Sequence, residues 1–172
     1  MNILEFILTN QNYLEDFVTR STYHSNAIEG NTLSYAETYA ILYNDNSFQI
    51  QGKKPREIYE AINHKAALEL VFENIKNSSE FDERLIKQIN ETINKSILNT
   101  EGYRKVQVFI QGSEHIPPAP EKIPNLMNYF VYNYNSATED IYLKAAKYHI
   151  EFETIHPFED RKWKNGATAY KL

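Results

Sequence analysis

Tyr148-His149-Ile150-Glu151-Phe152-Glu153-Thr154-Ile155-His156-Pro157-Phe158-Glu159-Asp160 is the stretch on which the reading of this chain turns. A helix starting near Ile141 and running to Ile155 delivers His156 to its C-terminal end, and Pro157 stops the helix there, because a proline disfavours helical geometry in the residue before it. A histidine on such a turn, followed by Glu159 and Asp160, is a candidate general base beside a metal-binding acid. The competing reading is a cap, in which the histidine only satisfies orphan carbonyls. His149 and Glu153 lie one turn apart and offer a metal pair, but a buried, hydrogen-bonded histidine is the preferred reading.

Outward from this stretch, helical spacing dominates. Leu4, Ile7, Leu8, Leu14, Phe17 and Val18 recur at three, four and seven, so the first twenty residues read as one amphipathic helix. A second helical stretch runs from Thr19 towards Ile28 and stops at Glu29-Gly30-Asn31. Ser34-Tyr35-Ala36-Glu37 has the capping-box form and starts a helix to about Tyr43. The polar segment 44–54 reads as a loop, and Pro55 suits a first helical turn. Phe81, Leu85, Ile86, Ile89, Ile93 and Ile97 mark another helix. The period then changes: Val106, Val108 and Ile110 alternate with Gln107 and Phe109, as in a strand. Gly112 and Pro117-Pro118-Ala119-Pro120 break that pattern, and helices resume near Pro124–Val131 and Ile141–Ile155. The expected fold is all-α, an orthogonal helical bundle with one short β-hairpin flap over 104–119. Its parts are N-terminal helices (1–32), a core (33–160) and a tail (161–172).

Composition narrows the function. Hydrophobic residues make up 42% of the 172, enough for a core without disulfides or a cysteine-ligated zinc, and there is no cysteine. That fits a cytoplasmic protein. With 18 basic against 23 acidic residues the net charge is −5, the opposite of what non-specific nucleic-acid binding needs. No nucleic-acid and no membrane partner is expected. The thirteen tyrosines read as filler for helix faces, with Tyr103 the one to watch. His24, His64 and His115 read as surface or capping residues.

Three segments, in matching order, resemble the Fic-domain family over about residues 15 to 160. Ser25-Asn26-Ala27-Ile28-Glu29-Gly30-Asn31 resembles its inhibitory-helix motif. Gly102-Tyr103-Arg104, Val106-Gln107-Val108 and Gly112-Ser113-Glu114-His115-Ile116-Pro117-Pro118 resemble its flap. His156-Pro157-Phe158-Glu159-Asp160 resembles the first half of its catalytic motif, His-Pro-Phe-x-Asp-Gly-Asn-Gly-Arg-x-x-Arg. The resemblance implies transfer of AMP from ATP to a hydroxyl of a protein target. It makes His156 the base and Asp160 the ligand of Mg²⁺. Phe158 becomes an apolar residue packing the nucleotide loop. Ser25 and Glu29 become inhibitory, with the Glu29 carboxylate holding the second arginine away from the γ-phosphate. Val108, Ile110, Gly112, Ser113, Ile116 and Pro117 become the flap that docks the target by strand addition. Phosphates would sit on the backbone N–H groups of the Gly-Asn-Gly turn.

After Asp160 the resemblance breaks. Arg161-Lys162-Trp163-Lys164 stands for Gly-Asn-Gly-Arg, and Ala167 stands for the second arginine. Glycines permit φ > 0 and close approach to phosphate; Arg and Trp oppose both. Lys164 keeps a charge, a weak phosphate ligand, without the planar fork of arginine. Read one base later, codons for Arg161–Tyr170 can spell Gly-Asn-Gly-Arg-Thr-Gly-Arg-Leu-Leu-Ile, and the Trp163 codon forces its glycine. A one-base insertion after the Asp160 codon is therefore inferred. The chain is expected to be impaired in AMP transfer and in binding ATP and Mg²⁺. The sequence also ends where the family continues into another helix, so an apolar patch near Ile155 and Phe158 and homo-oligomerisation through it are expected. Two alternatives stay open: a docking module that uses the flap without catalysis, and a hydrolase that removes AMP with Glu29 orienting water.

Overall fold

The computed structural model describes residues 3–45, 50–99, 101–110 and 112–159. Seven α-helices lie among them: α1 (Ile3–Thr9), α2 (Gln11–Ile28), α3 (Tyr35–Tyr43), α4 (Pro55–Lys76), α5 (Glu83–Asn94), α6 (Ile123–Ser136) and α7 (Ile141–Ile155), with a 3-10 turn at Pro120–Lys122 before α6. The all-α reading holds. No strand forms among the described residues, so the expected β-hairpin over 104–119 is replaced by an irregular flap.

Contacts divide the chain into two compact units, one of residues 1–79 and 92–99, the other of 80–91 and 100–172. In the first unit, α2 packs on α3 and α4, and α3 on α4. The core there is Val18, Leu33, Leu42 and Ala61, with Leu14, Ile41, Leu68 and Phe72 against it. The single N-terminal helix expected from apolar spacing is two helices. Asn10 breaks the run by adopting extended geometry, and its side chain accepts from the Tyr13 amide as the N-cap of α2. Conversely, α2 passes through Thr19 unbroken to Ile28. It ends in a Schellman closure: Gly30, at φ 82°, donates to Ala27 O (3.0 Å) and Asn31 N to Asn26 O (3.0 Å). The capping box of α3 is present, with Glu37 N donating to Ser34 Oγ (3.2 Å) and Ser34 N to Glu37 Oε2 (2.7 Å).

The loop after α2 is pinned by a buried carboxylate. Glu57, in the first turn of α4, accepts from Lys54 N (2.9 Å), Thr32 N (2.7 Å) and Thr32 Oγ1 (2.7 Å). Asn31 Nδ2 adds bonds to Glu57 O and to Glu60 Oε2, both 3.0 Å. These donors, the Lys54 N–H foremost, hold the Glu57 carboxyl below its ordinary 4.5. A carboxylate with a depressed folded pKa contributes stability that is complete above its unfolded value and lost as pH falls through the folded one. Glu57→Gln is therefore expected to lower stability by about 1–2 kcal/mol at pH 7 and to flatten the fall in thermal midpoint between pH 5 and pH 3. Parallel melts of both proteins against pH check this. An unchanged acid limb would show that the bonds to Glu57 contribute nothing net.

In the second unit α6 packs on α7. Its core is Ile86, Ile123, Met127, Phe130, Tyr148 and Ile155. Tyr148, Phe152 and Ile155 follow at spacings of four and three, so they form the inner stripe of α7. Ile155 is 5% exposed, and Phe158 packs partly buried against the same cluster. The apolar patch expected at those two residues is therefore absent. Of the large exposed apolar side chains of α7, Ile141 is exposed as the first residue of the helix, and Tyr142, Leu143 and Ile150 lie off the inner stripe. For the same reason His149 and Glu153 are exposed, and the buried-histidine reading of His149 is corrected. No group of three metal-ligating side chains occurs among the described residues. No helix of the described residues is long and apolar enough to cross a membrane.

Candidate active site

The site begins where α7 stops. His156 caps the helix in the left-handed region (φ 46°, ψ 64°), and its N–H donates to Phe152 O at 2.9 Å. A side chain bearing a Cβ is strained there, and such strain persists only where the surroundings hold it. The turn reverses the chain so that Pro157 is fully buried and Phe158 folds back. The Phe158 ring lies 5.5 Å from Tyr103 and 6.3 Å from Phe152, centroid to centroid. The left-handed geometry is that of a helix C-cap, shared with Asn44 at the end of α3; what sets His156 apart is the side chain that holds its carbonyl.

What holds the turn is Arg104, only 3% exposed. Its Nε donates to His156 O (2.8 Å), its Nη1 to Val106 O (2.8 Å) and its Nη2 to Pro118 O, while its backbone N donates to Pro157 O (2.9 Å). Burial pulls its pKa below the ordinary arginine value. Charge-assisted bonds of this kind contribute roughly 1.5–3 kcal/mol each. Arg104 also lines an open cleft of about 370 Å³ with Glu101, Lys105 and Glu121, whose mixed charges define no anion site.

The flap explains the missing hairpin. Its two limbs are joined by side chains instead of a ladder. Gln107 Nε2 reaches Val108 O (3.1 Å) and Pro117 O (2.9 Å), and Arg104 takes Val106 O and Pro118 O. Pro117 and Pro118 have no N–H to offer a ladder. The chain reverses at Gly112 (φ 80°), where Ser113 N donates to Ile110 O at 3.2 Å. Val108 and Pro117 are buried, Ile110 is half-buried, and Gly112, Ser113 and Ile116 are exposed. The large apolar side chains that the flap exposes are Ile116, Val106 and Phe109, the last two outside the expected docking set. His115 Nε2 donates to Thr154 O (2.9 Å), tying the flap to the last turn of α7. Tyr103 donates to Glu83 Oε2 (2.7 Å), and burial, then that bond, raises its pKa far above the ordinary phenol value.

Ser25 and Glu29 are exposed at the C-terminal end of α2 in the first unit. Between them Asn26 is buried, and its Nδ2 has no hydrogen-bond partner among the described residues. Asp160 and Lys164 lie outside the described residues, as does the tail on which the insertion was inferred. Sequence reasoning passed over Arg104 as part of a flap motif. Its signal, an arginine opening an alternating apolar run, is too common to single it out.

The Fic/DOC family model matches residues 80–169, which include the flap, the His156 turn and part of the tail. The chain belongs to the Fic/DOC family. It is 33% identical over 156 residues to the protein adenylyltransferase Fic of Aedes aegypti, and 36% identical over 158 residues to that of Nematostella vectensis. Each alignment takes in 87% of this chain but only 30% and 35% of the relative, so the chain spans about a third of their length. The fold matches a Fic family protein from Desulfovibrio desulfuricans G20 (TM-score 0.74, 24% identity, 92% of this chain and 48% of that one). It also matches Fic-1 of C. elegans (TM-score 0.71, 28% identity, 87% of this chain and 45% of that one).

Proposed function

We propose that this chain is the core of a protein adenylyltransferase in which AMP transfer is impaired. The observation that carries the reading is the His156 turn: a non-glycine residue in left-handed geometry, clamped at its carbonyl and tied to a flap. In that role the His156 ring takes the proton of a target hydroxyl, and Ile116, Val106 and Phe109 present the surface to the target. ATP with Mg²⁺ would supply the adenylyl group, with Asp160 as the metal ligand. The donor set beyond Asp160 does not fit the triphosphate. Arg161, Lys162 and Trp163 stand where close backbone approach is needed.

Isothermal titration with Mg²⁺·ATP tests this. The chain as it stands is compared with one carrying Gly-Asn-Gly-Arg at 161–164 and Thr-Gly-Arg at 165–167. Binding by the second protein alone is expected. Equal affinities would mean that Arg161–Lys164 makes its own phosphate site and that the impairment is wrong; binding by neither would remove the adenylyltransferase reading. The side-chain lacing of the flap favours one second reading, a module that still docks a protein target without transfer.

A further inference from the structure

We propose that Arg104 is a positioning residue that sets the His156 turn and both limbs of the flap as one piece. Guanidinium is a flat, stiff group with donors on three nitrogens. Here each nitrogen serves a different segment: Nε the end of α7 at His156, Nη1 the first limb at Val106, Nη2 the second limb at Pro118. Val106 lies on the arginine's own limb, while Pro118 and His156 are 14 and 52 residues away, yet one rigid plane meets all three. The backbone of the same residue holds Pro157 O, so two successive carbonyls of the strained turn depend on it.

Among the described residues no carboxylate pairs with Arg104, and its partners are main-chain carbonyls. The guanidinium therefore acts as a template rather than as half of an ion pair. A lysine could keep the charge but offers no plane and cannot span three carbonyls in the same geometry. Displacing either flap limb must then shift the carbonyl of His156, so occupation of the flap and placement of the base are linked. Only this catalytic consequence rests on the adenylyltransferase reading; the linkage itself does not.

Arginine-labelled NMR on the unaltered chain is the first test. The Nε–H of Arg104 is expected to exchange on the order of 100-fold more slowly than those of Arg20 and Arg84, whose side chains are 63% and 76% exposed. Comparable exchange at all three overturns the proposal, whether or not any variant folds. In Arg104→Lys the amides of Val106 and Ala119 and the ring signals of His156 should shift together, while those of Met127 and Ile123 in the core stay in place. A folded variant whose flap and His156 signals superimpose on the parent's also overturns it. In the chain restored at 161–167, Arg104→Lys should cut the transfer rate by ~10²-fold through misplacement of the base, at unchanged Mg²⁺·ATP affinity. An unchanged rate there sinks the positioning role. A restored chain that transfers nothing even with Arg104 sinks the adenylyltransferase reading and leaves the NMR result to stand by itself.

Discussion

Restoring Gly-Asn-Gly-Arg at 161–164 and Thr-Gly-Arg at 165–167 is expected to raise transfer of a radiolabelled α-phosphate onto protein by at least ~10²–10³-fold. An oriented donor facing developing charge contributes that much, and several are restored at once. On the proposed reading the present chain has the base but lacks the anion cradle. On that reading the part to be restored is a set of backbone N–H groups at a glycine-rich turn, since bulky residues oppose close approach to phosphate. The restored chain carrying His156→Ala should fall back to the background of the present one, because a cradle without a base only binds. Two results would count against this account: restored activity that survives His156→Ala, or no gain in a restored chain that binds Mg²⁺·ATP. Sequencing the gene supplies an independent check, since the insertion requires the message read one base after the Asp160 codon to spell the glycine-rich half.

The helix ends written in side-chain chemistry could be read directly. Pro157 forced the end of α7 at Ile155, Pro55 opened α4, and Ser34 with Glu37 opened α3. Each is a local rule that needs no tertiary partner. The break at Asn10 was hidden because apolar spacing runs straight through it, and only the cap bond to Tyr13 N distinguishes two helices from one. The strand reading of 106–110 failed for a different reason. Alternation in sequence did not become two faces here, since Val106 is as exposed as Phe109 while Val108 is buried, and it does not report where backbone groups find partners. In this flap they find Arg104 and Gln107, two side chains that take the place of a ladder. His156 was singled out as a candidate from its neighbours in sequence. The arginine that holds its carbonyl lies 52 positions earlier, which no local pattern reports.

Phe130→Ala should be the most damaging single substitution in the second unit. The ring is 4% exposed and meets three others, Phe81 at 6.3 Å, Tyr148 at 5.7 Å and Phe152 at 5.8 Å. Two of these lie on the inner stripe of α7, so the ring supports the helix that presents His156. Emptying such a site costs about 3–5 kcal/mol, because close-packed neighbours only partly collapse into the space. At roughly 2–4 °C per kcal/mol for a chain of this size, the thermal midpoint should fall by about 6–20 °C. Ile150→Ala on α7, the helix that Phe130 of α6 packs against, is the exposed-site control. Its side chain is 65% exposed, and the change should stay within about 0.5 kcal/mol. Urea melts of both variants separate a packing effect from one of helix propensity, since alanine favours the helix equally in each. If Phe130→Ala unfolded no more readily than Ile150→Ala, the aromatic cluster would not be what holds α7 in place. The geometry of the His156 turn would then have to rest on Arg104 and the flap alone.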